Sequence, residues 1–109
     1  MLPKINRLTK KKDFEAVFKK GKSVKNGFLV FKILNNSLLK NRFGFIVSKK
    51  VSNKATIRNK VKRRLRAIIS KELDDIKGSR DMVIITLPGI EKKEFSELQE
   101  NIHTIFKKI

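Results

Sequence analysis

The sequence has no cysteine, no tryptophan, no tyrosine and one histidine, and it sets ten carboxylates against 28 lysines and arginines. Each shortage excludes something. Without cysteine there is no disulfide and no thiolate-bound zinc, which suits a reducing cytosol. With one histidine, neither a catalytic triad nor a general-base pair can be assembled from these residues. No apolar run approaches the roughly 18 residues that a membrane-spanning helix needs. The opening "MLPKINRLTKKKDF" lacks the apolar core of a secretory signal. The expectation is a cytoplasmic protein with no membrane partner and no disulfides. A chain of 109 residues, 39% of them hydrophobic, can bury one core, so 1–109 reads as a single domain.

What is present is positive charge, unevenly spread. In residues 1–71 only Asp13 and Glu15 are acidic against 22 Lys and Arg, a net +20, whereas the other 38 residues carry a net −2. From Ala16 to Lys71 there is no carboxylate. Self-repulsion on this scale disfavours a compact state unless a polyanion neutralises it, and nucleic acid is the leading polyanion. A membrane-surface helix would need Trp, Phe and Leu opposite its basic face, and none is evident. A metal-dependent nuclease needs clustered carboxylates to hold its ions. Asp74 and Asp75 read instead as solubilising residues at a helix end, and His103, off the apolar stripe of its helix, as an exposed surface residue. By its own residues the chain is a binding module.

The elements read in the order α-β-β-β-α-β-α, an α+β sandwich with helices packed on a sheet of about four strands. "LTKKKDFEAVFKKG" predicts a helix with Thr9 as its cap, Phe14, Val17 and Phe18 on one face, and Gly21 as its stop. "KSVKNG" is a short extended piece ending in a turn. Phe28–Leu34 and Arg42–Lys50 read as strands, most simply an antiparallel hairpin across "NNSLLKN". A long helix starts at Ser52 or Asn53 and stops at Gly78. Asp81–Leu87 is a buried strand closed by Pro88-Gly89. A last amphipathic helix carries Phe95, Leu98, Ile102, Ile105, Phe106 and Ile109.

The long helix carries the sharpest signal. Six of the nine residues from Arg58 to Arg66 are Lys or Arg. At about 100° per residue, Ile57, Val61, Leu65 and Ile68 form the core stripe, and Asn59, Lys62, Arg63 and Arg66 form an arc opposite. Lys60 and Arg64 lie on the remaining flank, and Arg58 near the apolar edge. The pairs Arg58–Lys62, Lys60–Arg64 and Lys62–Arg66 are like-charge neighbours one turn apart, each destabilising by a few tenths of a kcal/mol. A solvated face normally mixes signs; here the missing partners are best supplied by phosphates. Arginine forks suit bidentate phosphate contact, and Asn59 can read a base edge or a 2′-hydroxyl.

All eight aromatics are Phe. Any one of them can pack in the core, but Phe14 and Phe18, one turn apart, could also stack on single-stranded bases. Phe28 and Phe31 have opposite parity, so at most one of them shares that surface.

The run "GFIVSKK…A…IRNKVKRRLR", Gly44 to Arg66, resembles the signature of the bacterial ribonuclease P protein component: a strand ending in Ser-Lys-Lys, a small loop, then Arg-Asn-Arg, Lys-Arg and a further Arg on one helix. "NRLTKKKDFEAVFKKGKS" and "DMVIITLPG" are similar to the family's opening and last strand, so the likeness covers nearly the whole chain. It implies an α/β sandwich with a left-handed β-α-β crossover, where the general rule predicts a right-handed one. It implies the protein subunit of a ribonucleoprotein endoribonuclease that removes the 5′ leader of precursor tRNA. The chemistry would belong to the RNA subunit, with Mg2+ held by RNA and substrate, and one protein copy would serve each RNA. Arg58, Asn59, Lys60, Lys62, Arg63 and Arg66 match the helix that contacts the catalytic RNA. Phe14, Phe18 and Phe31, with Ser48 and Lys49 nearby, match the leader cleft, which by resemblance selects Phe31 over Phe28. Lys60 stands where the family has Arg, Ser52 where Gly is usual, and Phe31 where Tyr is usual. The alternative is a ribosomal or architectural RNA-binding protein of similar fold.

Overall fold

Among the described residues, three α-helices and four strands follow the expected order: α1 (Lys11–Lys20), β1 (Lys22–Asn26), β2 (Leu29–Asn35), β3 (Arg42–Ile46), α2 (Ala55–Glu72), β4 (Arg80–Thr86) and α3 (Phe95–Lys108). They belong to a computed structural model that describes residues 2–76 and 78–109. The strands form one sheet in the order β1-β2-β4-β3. β1 and β2 make a tight hairpin in which Asn26 pairs with Leu29 and Gly27 takes φ 58°, the left-handed region that glycine enters without steric penalty.

The expected hairpin between the second and third strands does not form. β4 enters between them, antiparallel to β2 and parallel to β3. The reason is burial: Met82, Val83 and Ile84 are fully buried. A strand apolar on both faces belongs in the sheet interior, while the polar β1 and the less deeply buried β3 take the edges. β3 then returns to β4 through α2, the crossover that two parallel neighbours require.

Strand alternation sorts the core into two layers. Leu29, Phe31 and Ile33 of β2, Phe43 of β3, and Met82 and Ile84 of β4 meet Val61, Leu65, Ile68 and Ile69 of α2 and Leu98, Ile102 and Ile105 of α3. The opposite layer is thinner. There Val83 packs with Leu8 and Val17, flanked by the partly buried Phe14, Leu34, Ile46 and Ile85. Each fully buried Leu or Ile contributes about 1.5–3 kcal/mol, so most of the stabilisation comes from the α2–α3 side.

Helix and strand ends differ from the sequence expectation. Thr9 does not cap α1, whose N-cap is Lys10 without a side-chain bond. α2 starts at Ala55 rather than Ser52 or Asn53. The Ser52 hydroxyl is already engaged, accepting the Lys54 amide at 3.2 Å, a local turn that competes with capping. α2 ends at Glu72 and tightens into a 3-10 turn, Leu73–Asp75, before reaching Gly78. β3 stops at Ile46, where the chain turns toward α2.

Candidate nucleic-acid interface

α2 presents its cations only partly as the periodicity requires: Ile57, expected in the core stripe, is half-buried, and of the arc expected opposite it Asn59 and Arg63 are exposed while Lys62 and Arg66 are not. Val61, Leu65, Ile68 and Ile69 are buried, which turns Asn59, Lys60 and Arg63 outward into solvent and leaves Lys62 and Arg66 half-buried at the margins. Among the described residues, Asn59, Lys60, Lys62 and Arg63 make no side-chain hydrogen bond or ion pair. No acid stands in the first turn of α2 and no side chain caps it.

The other α2 cations have structural partners. Arg58 donates from Nη1 to the Ser52 carbonyl at 2.9 Å, closing the loop that leads into the helix. Arg64 reaches the Lys93 carbonyl at 3.4 Å. Arg66 lies over the Phe45 ring with its guanidinium carbon 5.6 Å from the centroid, a cation–π contact that holds the fork in place. Ser48 and Lys49 are exposed in the turn after β3, where the Ser48 hydroxyl accepts the Lys50 amide at 3.3 Å.

On the opposite side of the sheet, α1 is only ten residues long and leaves much of the surface open. Phe14 is half-buried against β3, and Phe18 is 42% exposed. Alternation turns Val30, Lys32 and Leu34 of β2 to this side, beside Ile46 and Ile85. Phe31 does not reach it: it is fully buried and meets Phe106 edge-on at 5.8 Å. The assignment of Phe31 to an open cleft is therefore corrected, because it shares parity with the core residues Leu29 and Ile33. Phe28 does not line this side either; it packs against the larger core with Lys93 Nζ 4.9 Å from its ring centre. The half-buried Lys32 is the basic residue that the resemblance passed over. Its parity opposite Phe31 is the signal that would have found it.

A clamp sets α1 on the sheet. Arg42 donates from Nε and Nη2 to the two carboxylate oxygens of Asp81, at 2.8 and 2.7 Å, and from Nη1 to Asp13 at 3.3 Å. Asn36 donates to the same Asp81 at 2.8 Å. The Asp81 hydrogen bond raises the Arg42 pKa; burial opposes it, and the charges of both aspartates add to it. One of the two acids in the basic region is thus consumed inside the fold. The other, Glu15, is exposed on α1.

Where the two sides meet, Arg7, Thr9, Phe14, Gly44, Phe45 and Arg66 line a cavity of about 260 Å³ over the outer edge of β3. The N-terminal segment runs along this edge, with the Leu8 amide donating to the Phe43 carbonyl at 2.8 Å. The basic helix and the aromatic helix are therefore joined by one continuous surface. His103 is exposed as expected, but it is also bonded to Glu72 at 2.8 Å, tying α3 to the end of α2.

The family model described as Ribonuclease P matches residues 2–109. The chain belongs to the ribonuclease P protein family. It is 42% identical over 106 residues to the ribonuclease P protein component of Streptococcus pyogenes serotype M5, covering 97% of this chain and 87% of that one. It is 38% identical over 108 residues to that of Syntrophomonas wolfei, covering 99% and 90%. The RNase P protein of Thermotoga maritima, solved with 1-(4-fluorophenyl)-2-thiourea, superposes with a TM-score of 0.87 at 33% identity, covering 94% and 99%. Membership makes this chain a tRNA-processing subunit, and the ribosomal or architectural alternative is not favoured.

Proposed function

We propose that α2 docks the chain on the ribonuclease P RNA while the open α1 side holds the single-stranded 5′ leader of precursor tRNA. The observation that carries this reading is the unpartnered set Asn59, Lys60, Lys62 and Arg63, contiguous through Arg66 with the exposed aromatic side of α1. Phosphates supply the charge that the fold withholds from α2. Phe14 and Phe18 offer ring faces to leader bases, and Lys32 and Lys49 hold the backbone. Arg58 supports the docking helix by closing its entry loop. Phe31 supports the sheet beneath.

Cleavage in this reading is performed by the RNA, with magnesium held by RNA and substrate. Among the described residues no three or more histidines and carboxylates are grouped to hold a metal ion. One protein copy serves one RNA, in the cytoplasm; among the described residues no helix is long and apolar enough to cross a membrane. The test is reconstitution with a bacterial ribonuclease P RNA. Arg63→Ala weakens protein–RNA affinity, whereas Phe18→Ala lowers the preference for precursor over mature tRNA. If Phe14→Ala and Phe18→Ala both leave that preference unchanged, the leader assignment is wrong.

A further inference from the structure

We infer that Gly44 is a positioning residue for leader recognition, acting through Phe14. The inference rests on the reading of the α1 side given above. Gly44 pairs with Val83 in the β3–β4 ladder, and glycine in a strand interior is unfavourable unless something approaches closely. Its φ is not positive, unlike those of Gly27, Gly78 and Gly89, so the reason is space rather than backbone freedom. A Cβ at this position would stand 2.4 Å from Phe14 Cζ, 2.6 Å from Phe14 Cε1 and 3.3 Å from Leu8 Cβ. The Phe14 ring rests on the bare backbone of β3.

The ring cannot yield easily in other directions. The residue before it, Asp13, is held by Arg42, which is itself locked on Asp81, so α1 cannot slide back as a unit. On the inner side Leu8 and Val17 close the small core. Carbon atoms pack at about 3.5 to 4.0 Å, so an alanine at this position drives the ring outward by roughly an ångström into the space where a base would stack. Gly44 thereby sets the depth of the aromatic floor. It also lines the cavity that connects this floor to Arg66, which places the adjustment at the junction of the two RNA-facing surfaces.

The experiment uses holoenzyme reconstituted with ribonuclease P RNA. It measures protein–RNA affinity and the ratio of precursor to mature tRNA affinity for Gly44→Ala, Phe14→Ala, Phe14→Leu and the double variant Gly44→Ala/Phe14→Leu. Gly44→Ala is expected to lower the ratio about five- to hundredfold, the range of one lost base–aromatic stack, with protein–RNA affinity unchanged. On the Phe14→Leu background, which removes the obstructing ring atoms, Gly44→Ala is expected to leave the ratio unchanged and to lower the Tm less. An unchanged ratio in Gly44→Ala, with a lowered one in Phe14→Ala, overturns the inference alone. An unchanged ratio in Phe14→Ala overturns the inference, and the same result in Phe18→Ala as well overturns the leader reading with it. If Gly44→Ala fails to fold, the double variant decides: a ratio below that of Phe14→Leu shows that Gly44 does not act through Phe14.

Discussion

One sheet carries two unlike faces. The α2–α3 side is closed: Phe31, Leu65, Ile68, Met82, Ile84 and Ile102 are all fully buried. The α1 side is covered by one short helix, and its aromatic Phe18 stays 42% exposed. A small domain has little apolar surface to spare, and here the sequestered apolar area is concentrated on one side. The difference is one of burial: one face holds the fold, and the other leaves side chains partly exposed.

The comparison is broken most forcefully through stability. Phe31→Ala is expected to destabilise by about 3–5 kcal/mol, as for a large aromatic in a closed core, whereas Phe18→Ala changes stability by less than about 1 kcal/mol. Denaturant midpoints measure both, and equal losses would erase the distinction between the faces. Next is Arg42→Ala, which leaves Asp81 with only Asn36 and is expected to cost about 3 kcal/mol, near the lower end for a broken buried pair. Because the folded Arg42 pKa is raised, its contribution is complete below the unfolded value and fades only as pH rises through the folded one. Both lie beyond the ordinary working range, so the penalty of Arg42→Ala, measured against Arg42→Lys, carries no titration from the arginine near neutral pH.

Smaller effects sharpen the functional half. Arg63→Ala is expected to lower the slope of log affinity for RNA against log salt by about one phosphate contact, without altering the precursor preference; salt-titrated binding isotherms read it. Lys62→Glu is the smallest in stability, a gain of a few tenths of a kcal/mol from relieving like-charge pairs with Arg58 and Arg66. It is nevertheless expected to weaken RNA binding strongly. A variant more stable and less functional would locate the cost of the basic helix in its partner's absence.

How much of this was legible beforehand depended on whether a feature is local. The α2 wheel needed only 3.6-residue periodicity, and it correctly put Val61 and Leu65 inside and Asn59 and Arg63 outside. Parity correctly separated residue 31 from its neighbours, but a strand's alternation does not say which face meets which helix. That ambiguity left the choice to the resemblance, which put the buried Phe31 in the cleft and passed over Lys32. The second-and-third-strand hairpin failed for a related reason: β4 lies 34 positions beyond the end of β3 in the chain (Ile46 to Arg80), and its claim on the sheet interior is a competition for burial that no local window contains.

By itself the sequence determined the element order, the unpaired positive charge of α2 and the family, because periodicity, composition and motif are carried by neighbours in the chain. Tertiary structure alone decided the strand order, the side on which each Phe lies, the Arg42–Asp81–Asp13 clamp and the seat of Phe14 on Gly44. Each of these is a contact between distant segments, set by which surfaces bury one another and by how closely two backbones can approach.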